Sequence, residues 1–507
     1  MDSISMNSYN VSNLLRISGL ATGLDTDSIV QQLMEAASIP LDRLEQQKQW
    51  YQWQQEDLRD INTQLLSLRD NSVFQLKLQG TFLAKTVASN SAVATATATS
   101  SAVNGVYTLS VTQLAQAAYR TSGQLSITDP AAALNQTGTI VLNGISISIT
   151  STDSLNTIIS KINSSGAGVT ATYDTNLKTI FLVSTTTGSA AKIDFSGSDS
   201  GGYNILTNTM KISGLTLDTT TNTVTDGAIA YGKDAQFTIN NGSTVYSEST
   251  NSFTLLGLNI TLTGTGTTTL SVSTDVDKIY NAIKSFVDSY NDIITKINAK
   301  LTEKRYYDYP PLTSEQKQAM KDSDIELWEE KARSGNLNND ETLMRVYYSM
   351  RNVVSSVVSG VGSLSSIGIT TSQWYEGGKL YIDETKLRDA IANNPDTVMK
   401  IFTGVYETDS NGNTTLVTPG IAQKLYDTLD QGIDAITRKA GSTTQLYDTS
   451  FIGNRIREID ERIAQMQDYL NDLEERYYAQ FTLLEMYVGQ MNSQSMWLSQ
   501  QIEVMMG

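Results

Sequence analysis

The sequence predicts an α+β, multidomain chain: a discontinuous helical coiled-coil stem drawn from both chain ends, with inserted β-rich head domains. Three observations predict it. Charge is distributed unevenly, since only 16 of the 190 residues from 86 to 275 are Asp, Glu, Lys or Arg, about 8%, against about 23% elsewhere. The charge-poor segment alternates apolar and polar residues at the period of a strand, whereas its flanks step by three and four, the period of a helix. The last helix keeps that step over twelve positions with only Gln480 polar, which marks a coiled-coil seam.

Residues 1–40 form a terminal leg segment. Leu14, Leu15, Ile17, Leu20, Leu24, Ile29, Val30 and Leu33 give it an apolar character unusual for a chain end, and we expect order there only on assembly. It lacks a basic region followed by an apolar one, so it does not read as a secretory signal peptide. Residues 41–85 are the first part of the stem, with Leu58, Ile61, Leu65 and Leu68 on one face. Residues 86–130 and 234–272 make a β-rich head domain, read from "GVYTLSVTQLA" (105–115) and "FTLLGLNITLTGTGTTTLSVS" (253–273). Residues 131–233 make a second β-rich head domain. In its "TIVLNGISISIT" (139–150), Ile145, Ile147 and Ile149 alternate after an Asn-Gly turn.

The stem resumes over 273–479, with a small β element near 367–383. Ile279, Ile283, Phe286, Tyr290, Ile293 and Ile297 share a helix face, and we assign Ile283, Phe286 and Tyr290 to stem packing between subunits. Thr313…Gln316 and Ser323…Glu326 have capping-box spacing, and Gly335 is placed to stop a helix. The seam then runs through Ile452, Ile456, Ile459, Ile463, Met466, Leu470, Leu473, Tyr477, Gln480, Leu484, Tyr487 and Met491. Of these, Ile459, Ile463, Leu470 and Leu473 join the stem-packing set.

Residues 480–507 are a C-terminal leg helix. A helix over 451–503 spans roughly 80 Å at 1.5 Å per residue, longer than an ordinary core, so part of it projects and needs a partner. Ordering one residue's backbone costs about 1–2 kcal/mol, while burying a large apolar side chain returns about 1.5–3 kcal/mol. A lone helix gains little of the second term. The expected contacts with assembly partners are Leu24, Ile29, Leu33, Leu484, Tyr487, Met491, Trp497 and Leu498.

Composition excludes several functions. A formal charge of −17 with no compensating basic patch disfavours nucleic acid. No apolar run reaches about 18 residues, so no membrane span is expected. Without Cys or His there is no disulfide, thiolate metal site, His-based triad or HExxH zinc site. A carboxylate pair, a Ser–Lys dyad or an oxygen-ligand metal site survives that inventory, but catalysis, cofactors and metals are not expected. "ETDSNGNTT" (407–415) puts Glu407, Asp409 and Asn411 at calcium-loop positions one, three and five, but position twelve is Thr418, not Glu. Asn411-Gly412 reads as a turn instead. "FSGSDSGG" (195–202) lacks the Gly-Lys-Ser/Thr of a phosphate loop and reads as a surface loop.

Five blocks in order resemble the flagellar filament cap family, hook-associated protein 2 or FliD, of Gram-positive type. They are "ISGLATGLDTDSIVQQLMEAASIPLDRLEQQKQ" (17–49), with a helix stopped at Pro40; "FVDSYNDIITKI" (286–297); "WEEKARSGNLNNDETL" (328–343); "WYEGGKLYIDETKLRDAIANNPDTVMKIFTG" (374–404); and "RYYAQFTLLEMYVGQMNSQSMWLSQQ" (476–501). "STDSLNTIISKINSSGAGVTATYDTNLKTIFLVSTTTG" (151–188) resembles the helix-and-two-strand module shared by flagellins and hook-associated proteins. The sequence departs from the family at 242–252, where Glu248 replaces the usual basic residue.

The resemblance implies a structural subunit at the filament tip, exported unfolded through the flagellar type III channel. It implies self-association in a ring of about five or six, beneath which flagellin folds and inserts. Further implied partners are the hook-filament junction protein and a cytoplasmic export chaperone covering the C-terminal helix. A reading of a different class is a surface adhesin or fibre tip binding glycan or host protein. It would not need both chain ends to be apolar.

Overall fold

A computed structural model describes residues 22–89, 92–371, 376–442 and 447–506. Leu14, Leu15, Ile17 and Leu20 lie outside them. The chain divides into two compact units: a helical stem from residues up to Leu78, Ala282–Leu387 and Asp396 onward, and a β-rich head from Gln79–Asn281 with Arg388–Pro395.

The head has two cores. One lies against an antiparallel sheet in the order Lys85–Ala88, Gly266–Thr274, Gly105–Gln113, Ala235–Ile239 and Tyr246–Glu248. A second sheet, Ser252–Leu255, Leu258–Leu262 and Ala94–Ala98, adds Leu258, Ile260 and Leu262 to Leu109, Val111, Phe237 and Leu270 in that core. Thr, Ser and Asn on the alternate positions face water, which is why so few charges suffice here. Glu248 sits in the edge strand opposite Ala235, so the departure at 242–252 lies partly in paired structure.

The other core gathers Ile140, Leu142, Ile158, Ile162, Ile180, Leu182, Phe195 and Leu206. The helix Leu155–Ser164, capped by Ser154, precedes the paired strands Val169–Asp174 and Thr179–Thr187. Asn143 and Gly144 both take positive φ, 50° and 83°, in the two-residue turn joining Gly138–Leu142 to Ile145–Ile149. That geometry matches the strand twist and explains the Asn-Gly pair.

Two expectations are corrected here. Ala118 and Leu125, placed by sequence in the first head domain, belong to the second core, because Ala117–Thr121 pairs with Thr179–Thr187. Residues 195–202 are not a surface loop: Phe195 and Ser198 are fully buried, and Asp199 caps the helix Ser200–Asn204. That helix presses onto the strand Gly138–Leu142 so closely that a Cβ on Gly202 would collide with the Thr139 carbonyl, and one on Gly201 with that of Thr137. Glycine is required by approach, not by flexibility. Gly202→Ala should lower the stability of the head by about 3 kcal/mol, the scale of overpacking, measurable as a lowered melting midpoint.

The principal stem helices are α1 (Thr26–Ser67), α2 (Val276–Thr302), α3 (Asp322–Arg333), α4 (Glu341–Val354), α5 (Ile421–Ala440) and α6 (Phe451–Met506). Their apolar faces meet: Leu58, Ile61 and Leu65 of α1, Phe286 and Tyr290 of α2, Met350 of α4, and Leu425 and Leu429 of α5 are all buried. The Tyr290 hydroxyl is enclosed with no hydrogen-bond partner among the described residues, and burial drives its pKa up. A short pair, Ile369–Thr371 with Leu380–Ile382, supplies the small β element.

Asp57 ties three parts of the stem together. Only 8% exposed, it accepts hydrogen bonds from Arg333 Nη2 at 2.5 Å, Asn336 Nδ2 at 2.8 Å and Lys300 Nζ at 2.9 Å. Burial alone raises its carboxyl pKa, but the bonds from Arg333, Lys300 and Asn336 outweigh it and hold the pKa below the ordinary carboxylate value.

Helix ends differ from expectation at two places. Thr313 and Gln316 form a reciprocal capping box on Ser314–Gln318, but Ser323…Glu326 does not, since α3 begins at Asp322 with Lys321 as its cap, two residues before Ser323. α1 does not stop at Pro40 but runs through it. Proline costs a helix interior about 3 kcal/mol. Antiparallel packing on α6 on both sides outweighs that: Lys48 pairs with Asp460 at 2.6 Å, and the Thr22 amide donates to Glu485 at 3.4 Å. The leg segment from Thr26 to Pro40 is accordingly helical in the structure.

Candidate assembly interface

The stem set is satisfied within the chain. Ile283, Phe286, Tyr290, Ile459 and Leu470 are buried, and Ile463 and Leu473 are half-buried. The buried five have no surface left for a neighbouring copy, so the expectation that they pack subunit to subunit is corrected. A heptad face is filled as well by a helix of the same chain as by one from another.

The leg set is open. Leu24 and Leu33 are exposed and Ile29 is half-buried. On α6, Leu484 is 42% exposed, Met491 65% and Trp497 60%; Tyr487 and Leu498 are exposed as well. Every described side chain from Gln490 onward is exposed. The sequence pattern missed Leu483, Met486, Met496, Ile502 and Met505, which are also at least half exposed. They lie off the seam, so a search along one stripe passes over them. The exposed apolar surface goes around the helix.

The covered face also drifts. Leu470, Leu473, Tyr477, Phe481, Glu485 and Val488 are buried or half-buried, whereas Gln480, Leu484, Tyr487 and Met491 are exposed. A straight helix of 3.6 residues per turn rotates about 20° per heptad away from a 3.5-residue pattern. Past Tyr477 the face turned toward α1 is therefore one position ahead of the seam. Thr22 marks where α1 still reaches α6, its hydroxyl and amide both bonding the Glu485 carboxylate.

The 407–415 segment is the tip of a hairpin, Gly404–Thr408 with Thr414–Pro419, whose turn is closed by Asp409 accepting from the amides of Asn411 and Asn413. Among the described residues no cluster of three or more acidic side chains is placed to hold a metal, and no helix is long and apolar enough to cross a membrane.

A family model for the N-terminal part of flagellar hook-associated protein 2 matches residues 22–118, and one for its C-terminal part matches 232–493. The second match alone spans more than half of the chain. The chain belongs to the flagellar hook-associated protein 2 family. Between the two, residues 133–186 match the flagellin hook IN motif, the helix-and-strand module of the second head core.

The family member of Halalkalibacterium halodurans is 31% identical across 95% of this chain and 98% of its own length. That of Escherichia coli K12 is 27% identical across 96% and 97%. The crystal structure of the D1-D2-D3 domains of the Escherichia coli flagellar cap protein FliD superimposes with a TM-score of 0.55. It covers 80% of this chain and 99% of that one at 23% identity. The shared fold is the α+β multidomain arrangement of helical stem and β-rich head.

Proposed function

We infer that this chain is a structural subunit of the cap at the distal end of the flagellar filament, where it promotes folding and insertion of exported flagellin. The observation that carries this reading is the family match along nearly the whole chain. The relatives are named for the hook and the cap, and nothing in them supports the adhesin reading. The role is structural and extracellular, at the flagellum tip.

In this reading residues 1–40 and 480–507 are legs, and Leu24, Ile29, Leu33, Leu484, Tyr487, Met491, Trp497 and Leu498 meet axial proteins. About five or six copies form the ring. The hook-filament junction protein receives the legs before filament growth, flagellin during it, and an export chaperone covers the C-terminal helix inside the cell. Gln480, Gln490, Gln494, Gln500 and Gln501 among the apolar leg residues soften the grip, which suits a cap that must step. Affinity changes tenfold per about 1.4 kcal/mol, so many modest contacts are easier to release in turn than one tight site.

Deletion of the gene with complementation tests the class. Cells lacking it should export flagellin monomer and build no filament, and the gene should restore filaments. Normal filaments in the deletion strain would remove the reading. Two physical predictions accompany it. Amide hydrogens of 490–503 should exchange rapidly in the isolated subunit and become protected in the assembled cap, because their side chains are all exposed in the chain alone. Equal protection in both states contradicts the leg assignment. Each copy carries a formal −17, so moderate salt should favour the ring by screening repulsion. Sedimentation that shows dissociation as salt rises to physiological strength overturns that expectation.

A further inference from the structure

Beside α1 the stem unit holds a pocket of about 310 Å³, walled by Trp50, Tyr51, Arg305, Tyr307, Pro310 and Pro311. The Arg305 guanidinium stacks on Trp50, 3.9 Å from the ring centroid, and on Tyr307 at 4.9 Å. Among the described residues it makes no hydrogen bond or ion pair, so its N–H donors are unused although it lines the pocket and is exposed. Gly335, at φ 71°, fits against the backbone of Arg305, where a Cβ would clash. Lys304 adds a second positive charge next to it, over Tyr306. Trp, Tyr and Arg gathered in a concavity are the composition of a binding hot spot.

The same unit carries a projection of opposite charge. In the hairpin Gly404–Thr408 with Thr414–Pro419, every residue from 406 to 417 is exposed. A two-stranded hairpin with nothing packed on either face is marginal alone. Its root is fixed by close backbone approach: a Cβ on Gly404 or Gly420 would strike the Thr418 or Phe402 carbonyl. Its turn is fixed by the Asp409 cap. Between them stand the directly paired Tyr406 and Leu416, both exposed, and Glu407, whose carboxylate makes no hydrogen bond or ion pair among the described residues. At about 3.4 Å per residue the five-residue strand reaches roughly 17 Å from its root.

We propose that this hairpin enters the Trp50–Arg305 pocket of a second copy of the chain, with Glu407 accepting from the Arg305 guanidinium and Tyr406 and Leu416 lying on the aromatic wall. This rests on the ring reading and deepens it by naming a contact. Charge complementarity selects the occupant. Copies carrying −17 each repel except where a cationic site meets an acidic one, and here Lys304 and Arg305 meet Glu407 and Asp409. Symmetry supports the choice: a projection and a socket at different places on one surface make a heterologous contact, which closes a ring when the rotation allows.

The chain has no cysteine, so single introduced thiols report proximity cleanly. Full-length Pro310→Cys and Thr415→Cys proteins should give a disulfide-linked dimer when mixed and oxidised. Neither alone should do so with comparable yield. No dimer from the mixture, or equal yield from either variant alone, overturns the proposal.

As a second readout, Arg305→Glu and Glu407→Arg should each weaken self-association at least tenfold, and combining them in one chain should restore most of it. Losses that simply multiply in the combined variant also overturn it. Both residues are exposed, so each single variant should melt as the parent does. Failure here with filaments still restored by the wild-type gene removes the socket and leaves the cap role. Failure of the wild-type gene to restore filaments removes the cap role itself.

Discussion

Cells producing Leu484→Asp/Met491→Asp in place of the parent chain should shed flagellin into the medium and build no filaments, while the purified variant melts normally. In the isolated chain both side chains are largely in water, 42% and 65% exposed. Replacing them with Asp removes little apolar burial and costs only a fraction of a kcal/mol in helix propensity each. At an apolar partner surface the balance reverses. An unpaired carboxylate placed there costs several kcal/mol, more than a contact assembled from modest terms contributes. The two charges lie about two turns apart on one face of α6, so both meet the same partner surface. Assaying the protein outside the cell separates loss of capping from loss of export, since the same face serves the proposed chaperone. Normal filaments from the double variant would falsify the leg assignment.

Asp57→Ala should have the largest effect on the stem itself, a loss of about 3–5 kcal/mol seen as a lowered unfolding midpoint. The Asp57 carboxylate is the common acceptor for Lys300, Arg333 and Asn336. Removing it leaves Lys300 only Glu303 at 3.5 Å and Arg333 only Glu56 at 3.2 Å, and takes the acceptor from the buried Asn336 carboxamide, which is the expensive way to break an ion cluster. The pH dependence has a fixed sign. Because the folded pKa is held below the unfolded value of about 3.9, the contribution is fully present above pH 4. It is lost as the pH falls through the folded value. The parent stem should therefore lose stability on acidification below about pH 4, and Asp57→Ala should flatten that part of the profile. An unchanged acid limb would show that the cluster contributes nothing to the native state.

Helix and strand identity were legible because the periods are clean. The step through Ile283, Phe286 and Tyr290 identifies a buried helix face, and alternation through Ile147 and Ile149 identifies a strand with one side in a core. Period alone does not say whose surface fills the face. Ile283, Phe286 and Tyr290 look the same in sequence whether the face is filled within the chain, as Phe402 does against Phe286, or by a neighbouring subunit. Nor does period report local cost against distant gain. Pro40 reads as a stop because its ring removes one hydrogen bond, and only the lateral packing of α1 on α6 overrides it. The exposed apolar surface of α6 was half legible: Trp497 and Met491 stand out by composition at a chain end. Met486 and Met505 escaped, because being off the seam does not bury a residue when the seam itself is uncovered. The aromatic socket was not legible at all, since Trp50 and Arg305 meet only in the fold.

The pairing of α1 with α6 joins residues very far apart along the chain: 463 positions separate Thr22 from Glu485, and 389 separate Arg59 from Asp448. Closing so long a loop is entropically costly and slow, and it grows easier once the intervening segment has collapsed and shortened the effective tether. The head strands pair over shorter separations, from nine positions for Thr139 with Ser148 to 189 for Lys85 with Thr274. If the chain leaves the cell unfolded, as the resemblance implies, one partner of the stem would remain in the channel until almost the whole chain had passed, whichever end leads. The head would then fold as it emerges, and the stem would close last. Stem closure would be a completion signal, given only when the molecule has been delivered in full.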